Sequence, residues 1–313
     1  MKNRELVQEI NQLRKKQNAV ILAHNYQIPE IQDLADYVGD SLGLSRQAGK
    51  VEADIIVFCG VHFMAETASI ISPDKKVLIP DLDAGCSLAD SITVEQLRAW
   101  KAEHPDAVVV SYVNTTAEIK AESDYCCTSS NAVGIVNSIP EEKEILFLPD
   151  QFLGGYVEVI TGRDLHIWKG ACHVHEKIGE LNISEKQKEY PEAEMLIHPE
   201  CGCSTSCMMK SAVYFDCKDG HIYSTEGMLN RANESDADQF VVATETGILH
   251  RMRKENPGKT FYAANEESVC DYMKMINLDN LRDALKYEQY EVKVPAELAQ
   301  KAWLPIQRMI EIS

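Results

Sequence analysis

The chain has 313 residues, 45% of them hydrophobic, and a formal net charge of −18. That apolar share can build a sizeable core, while the acidity excludes the basic footprint that nucleic acid or an anionic membrane surface requires. MKNRELVQEINQLRKKQ at the start is charged throughout, so no signal peptide is expected there. No run approaches the roughly 18 apolar residues of a spanning helix, and the ten cysteines are expected in a reducing cytoplasm, where metal or catalytic roles outweigh disulfides.

In chain order, residues 4–17 read as an amphipathic helix with Leu6, Ile10 and Leu13 on one stripe. AVILAHNY, from Ala19, is the first of several short runs rich in Val and Ile that alternate with helical segments. That alternation is the pattern of parallel strands in α/β units. Pro29 falls in the first turn of the next helix, and Asp40-Ser41 has the form of an N-cap for the one after it. DIIVFCG at 54 and KVLIPDL at 76 follow as strands, then Cys86 in DLDAGCSLAD. Helical EQLRAWKAEHP leads to AVVVSYVN from Ala107, DYCCTSS at 124, helical SNAVGIVNSI, EILFLPD at 144 and Cys172 in GACHVH. MLIHPE from Met195 opens a third set, continued by QFVVATE at 239, helical GILHRMRKENPG, KTFYAAN at 259 and Cys270 in ESVCDYMKM. From Leu278 the chain is helical to its end.

Ala19, Ala107 and Met195 lie 88 residues apart in both steps, which marks a threefold internal repeat. That register places His24, Tyr112 and Glu200 at one position. DIIVFCG, DYCCTSS and QFVVATE then align as second strands, and KVLIPDL, EILFLPD and KTFYAAN as third strands, each followed by one of the three cysteines. The expected fold is α/β: three pseudo-symmetric α/β/α units with small parallel sheets around a central active site. Their expected bounds are 1–90, 91–182 and 183–313, the last including the C-terminal helices.

Ligands of open α/β sheets sit at the carboxyl ends of the strands. Here those ends carry His24 and Tyr26, Tyr112 and Asn114, and His198 and Glu200, and residues two apart share a face. One such pair is explained by the start of a loop; three at one register favour a shared ligand. Ser41, Ser129, Ser224 and Thr225 stand near strand ends or helix starts, where backbone N–H groups favour anions. Cys59, Cys126 and Cys127 sit inside strand runs and belong to the core, whereas Cys86, Cys172 and Cys270 sit in loops after strands, one per repeat. Three thiolates meeting on a pseudo-threefold axis point to zinc or an iron–sulfur cluster. Three ligands would leave one metal position open, and His175, three residues after Cys172, is a possible fourth. CGCSTSC holds Cys201, Cys203 and Cys207, with Cys217 nearby, and its spacing matches no usual zinc site.

AHNYQIPEIQDLADYVGDSL at 23–42, CGVHFMAETA at 59–68, PDLDAGCSLAD at 80–90, SYVNTTAEIKAESD at 111–124, FLPDQFLG at 147–154, G-x-C-x-V-H at 170–175, HPEC at 198–201 and CDYMKM at 270–275 together carry a resemblance. The chain resembles the quinolinate synthase family, iron–sulfur enzymes of de novo NAD biosynthesis, nearly end to end. The resemblance implies a [4Fe-4S] cluster held by Cys86, Cys172 and Cys270 with one iron open. It also implies condensation of iminoaspartate with dihydroxyacetone phosphate to quinolinate, with release of phosphate and water, in the cytoplasm and with possible coupling to L-aspartate oxidase. Carried over residue by residue, it makes His24, Ser41, Tyr112, Asn114, Ser129, His175, His198, Glu200, Ser224 and Thr225 substrate contacts. Tyr26 and Glu200 are expected to transfer protons, with His24 and Tyr112 beside them. After Glu200 the chain departs from the commonest pattern, with CGCSTSC at a helix start and YSTEGM in place of a Gly-Ser-Thr segment, and Cys270 stands alone. A radical diphthamide-type enzyme and a non-enzymatic Fe–S sensor are the alternatives.

Overall fold

A computed structural model describes residues 2–204 and 221–312. Its twelve strands form three separate four-stranded sheets. The first holds β1 (Ala19–His24), β2 (Tyr37–Gly39), β3 (Ile55–Cys59) and β4 (Lys76–Leu78). In the second are β5 (Val108–Tyr112), β6 (Tyr125–Cys127), β7 (Ile145–Leu148) and β8 (His166–Ile167), and in the third β9 (Glu194–Ile197), β10 (His221–Ile222), β11 (Gln239–Ala243) and β12 (Thr260–Ala263). The strand orders are β2-β1-β3-β4, β6-β5-β7-β8 and β10-β9-β11-β12, and every paired strand is parallel. The α/β class and the three repeated sheets are therefore as expected. Continuous runs such as Ile55–Cys59 form strands because both faces of a parallel sheet are covered, so every residue of that strand is buried.

Topology corrects two alignments. DYCC, expected as a second strand beside DIIVFCG and QFVVATE, is the edge strand β6, equivalent to β2 and β10; EILFL is β7, the true partner of β3 and β11. The outer positions on the other edge belong to β4, β8 and β12, and Cys86, Cys172 and Cys270 follow these. β2, β8 and β10 are only two or three residues long, too short to leave a periodic signal.

The third repeat is also two residues out of the 88-residue register. Ladders from the first strands end at Ala23–Cys59, Ser111–Leu148 and Ile197–Ala243, so His24 and Tyr112 match His198, not Glu200. Local hydrogen bonding agrees: Nδ1 of His24 accepts the N–H of Tyr26 at 3.2 Å, and Nδ1 of His198 accepts that of Glu200 at 3.4 Å. Tyr26 and Glu200 are thus counterparts.

The N-terminal helix Lys2–Lys16 buries Leu6 and Ile10 and packs on the helix Leu278–Tyr287. The C-terminal helix Ala296–Glu311 crosses back to the first two sheets. It is held there by Asn131, whose amide donates to the carbonyls of Met309 and Ile312 at 2.8 Å each, and by Arg46, which donates to Ile310 at 2.8 Å. Among the described residues, no helix is long and apolar enough to cross a membrane.

Candidate active site

The carboxyl ends of β1, β5 and β9 face one cavity. Its lining includes His24, Tyr26, Ser41, Tyr112, Asn114, Ser129, His175, His198, Glu200 and Thr225, together with Cys86, Cys172 and Cys270. Ser224 is the exception among the expected residues. It is the N-cap of the helix Thr225–Glu234, its hydroxyl accepting the N–H of Gly227 at 3.2 Å, and it does not line the cavity. The same device operates in the first unit, where Asp40 caps Ser41–Lys50 by accepting the N–H of Gly43 at 2.7 Å. Ser41 and Thr225 are therefore both the first residue of a ten-residue helix, with positive dipole ends beside the cavity.

Four buried groups form a network. The Tyr26 hydroxyl lies 2.6 Å from Oγ1 of Thr244 and 3.3 Å from Nε2 of His175. Nδ1 of His175 lies 2.7 Å from a carboxylate oxygen of Glu200, off the line of a good hydrogen bond, and its ring stacks on His198 at 4.7 Å. Burial holds His24 and His198 neutral, at about 3 in each case. For Glu200 burial acts upward, but His175, His198 and a hydrogen bond from Tyr112 outweigh it and bring the carboxyl to about 2. His175 is opposed by burial too, yet Tyr26, Cys172 and Glu200 carry it well above an ordinary imidazole. Burial likewise keeps the Tyr26 and Tyr112 phenols protonated far past their usual range. The site thus holds an ionised carboxylate and protonated donors side by side in one buried enclosure, their environments pushing their proton affinities apart.

The described cysteines fall into two sets. Cys59, Cys126, Cys127, Cys201 and Cys203 are fully buried in strands or core. Cys201 and Cys203 pack in the apolar cluster of the third sheet, and Cys207 and Cys217 lie outside the described residues. Cys86, Cys172 and Cys270 are half-buried and line the cavity. Burial first, then the neighbouring sulfurs of Cys172 and Cys270, raises the thiol of Cys86; burial, the Cys172 sulfur and Glu245 raise that of Cys270 to about 11. Among the described residues they are nevertheless not a set with all donor atoms within 4.8 Å, whereas Cys172, His175 and Glu200 are. Three thiols facing one space, too spread for a single ion, suit a multi-iron cluster. Nε2 of His175 is engaged by Tyr26 and Thr244, while Nδ1 faces the Glu200 carboxylate without a well-aligned hydrogen bond.

Other lining residues carried no signal of their own in the sequence. Ser87 and His173 each follow a cysteine, and their Oγ and Nδ1 meet at 2.7 Å, joining the first two cysteine loops. His173 also meets Tyr272 edge-on at 5.7 Å, which closes the ring to the third. Fully buried Glu245 accepts the N–H of Cys270 at 3.1 Å. Gly170 seats the Cys172 loop: a Cβ there would come within 2.4 Å of both the Pro149 carbonyl and the Ser91 hydroxyl.

A family model described as quinolinate synthetase A protein matches residues 8–311. Among curated relatives, a quinolinate synthase of Pyrobaculum aerophilum is 51% identical over 98% of this chain and 100% of its own. One from Thermus thermophilus is 50% identical over 100% and 99%, and one from a Mycobacterium species 55% identical over 98% and 92%.

Proposed function

The chain belongs to the quinolinate synthetase A family, transferases of NAD biosynthesis, and from that premise we propose that it condenses iminoaspartate with dihydroxyacetone phosphate around a [4Fe-4S] cluster. The supporting observation is the single cavity onto which three loop cysteines, one after the outer strand of each sheet, converge with Tyr26, His175 and Glu200. Cys86, Cys172 and Cys270 would hold the cluster, which would supply a Lewis-acidic iron for a substrate oxygen.

The remaining chemistry falls to the chain. Both substrates are anions, and an acidic protein must bind them locally. Ser41 and Thr225 at helix starts and Ser129 are the groups we assign to their carboxylates and phosphate, while the buried Oδ1 of Asn114, an acceptor without a protein partner, is assigned to a substrate N–H or O–H donor. Ionised Glu200 takes protons from carbon or nitrogen as the new bonds form. Protonated Tyr26, fixed by Thr244, returns a proton to the departing hydroxyl or phosphate, and His175 between them balances the charge. His24 and His198, held neutral, orient substrate by hydrogen bonds without competing for the proton. A positioned acid or base of this kind contributes about 10²–10⁴-fold.

The three units, 1–90, 91–182 and 183–313, each contribute one cysteine and one strand-end pair to this arrangement. A cytoplasmic setting and a hand-over of unstable iminoaspartate from an L-aspartate oxidase accord with it. Identity over the full length to quinolinate synthases favours it over a diphthamide-type enzyme or a sensor. The test is anaerobic reconstitution with iron and sulfide, then supply of dihydroxyacetone phosphate and freshly generated iminoaspartate. Quinolinate is expected only from the loaded protein; a fully loaded protein that makes none would overturn the reading.

A further inference from the structure

We propose that His104, Glu144 and His166 form a second metal site, for a divalent transition ion of the zinc class, at the amino-terminal end of the second sheet, away from the cavity. Nδ1 of His104 and Nε2 of His166 lie 2.7 Å and 2.6 Å from the same carboxylate oxygen of Glu144. All three donor atoms fall within 4.8 Å of one another. Two imidazoles and one carboxylate are the donor set of open zinc sites, and imidazole selects zinc, nickel or copper over magnesium and calcium.

The scaffold is rigid at each ligand. His104 ends the helix Val94–Glu103, its N–H bonded to the carbonyls of Trp100 and Lys101. Glu144 immediately precedes β7, and its carbonyl accepts the N–H of Val108 at 2.8 Å. His166 is the first residue of β8, in register with Leu146. Because these strands are parallel and their carboxyl ends face the cavity, the triad sits at their amino ends. Trp100 fixes the rings: it stacks on His104 at 4.0 Å and 5°, and meets His166 edge-on at 5.4 Å. Rings locked this way lose little freedom on ligation, which is what a preformed site requires. The side chains keep 27%, 40% and 47% of their exposure for His104, Glu144 and His166, so an ion has a direct path and its remaining positions stay with water.

The measurement is a Zn²⁺ titration of the anaerobically purified, cluster-loaded protein against a chromophoric chelator, alongside His166→Gln and Glu144→Gln. The parent is expected to bind one equivalent more than either variant, or to bind it about 100-fold more tightly, beyond the loss caused by removing a mere supporting partner. Quinolinate formation should be equal in all three, and Zn²⁺ should raise the melting temperature of the parent alone. Equal stoichiometry and affinity in the three proteins overturn the site, whatever the cluster loading.

Discussion

Lys274 lies 2.8 Å from the fully buried carboxylate of Glu245 and also donates to the carbonyl of Tyr26. The same carboxylate accepts the N–H groups of Cys270 at 3.1 Å and Gly247 at 2.7 Å. One ion pair therefore ties the third cysteine loop to the loop of Tyr26. Removing the ammonium leaves a buried charge uncompensated, at a cost on the order of 3 kcal/mol. Lys274→Met is expected to melt several degrees lower, at about 2–4 °C per kcal/mol, and to release iron to a chelator faster. Glu245→Gln removes the charge but sets an NH2 against one of the two backbone N–H groups, so it too should melt lower. Unchanged melting and iron release in Lys274→Met would count against the tie.

His24 and His198 make the fold acid-sensitive. Their folded values of about 3 lie below the ordinary 6.5, so between those limits the unfolded chain binds more protons. The contribution of these two rings is full above pH 6.5 and is lost as pH drops toward 3, by up to about 1.4 kcal/mol per unit for each ring; His175, raised by its neighbours, acts in the opposite sense above pH 6.5. Glu200, lowered to about 2 from 4.5, adds its loss only below pH 4.5. Denaturant midpoints of the cluster-free chain should fall steadily between pH 6.5 and 5, and His198→Gln should reduce that slope by about half. An identical slope in the variant would contradict the buried neutral ring.

Glu200→Gln and Tyr26→Phe separate proton transfer from metal binding. Each is expected to keep the visible absorption of the iron–sulfur centre and lose about 10²–10⁴-fold in kcat. Steady-state rates and spectra of the same samples decide it, and a normal rate in either variant removes that residue from the chemistry.

The cysteines divide by role. Cys86→Ser, Cys172→Ser and Cys270→Ser should each bind markedly less iron and sulfide after anaerobic reconstitution. Cys127→Ser, which puts a hydroxyl into a fully buried strand position, should retain the cluster and lose stability instead. Full iron content in Cys270→Ser would remove it as a ligand.

Asn131→Ala tests the clasp of the C-terminal helix. It leaves two carbonyls, of Met309 and Ile312, without their donor, at about 1 kcal/mol for each hydrogen bond. A melting temperature lowered by a few degrees is expected, and no change would show that the Asn131 clasp does not hold the helix.

Much was legible in residue order alone because it is set by local chemistry. Val- and Ile-rich runs between helical stripes dictate parallel strands, and Asp40 before Ser41 dictates a capped helix. Loop cysteines recurring once per repeat mark a shared centre, since core thiols such as Cys59 sit within strands. Pairing is not local, and there the tertiary structure decided. Edge strands of two or three residues bury too little to leave a pattern, so residue order does not distinguish the edge strand β6 from an inner one, and the two-residue offset of the third repeat shows only in the strand ladders. Whether Ser224 or Thr225 faces the cavity depends on one helical cap. The partnership of Glu245 with Cys270, of Ser87 with His173, and of His104 with His166 through Glu144 joins residues far apart in the chain. Only the packing of three sheets brings such groups within bonding distance.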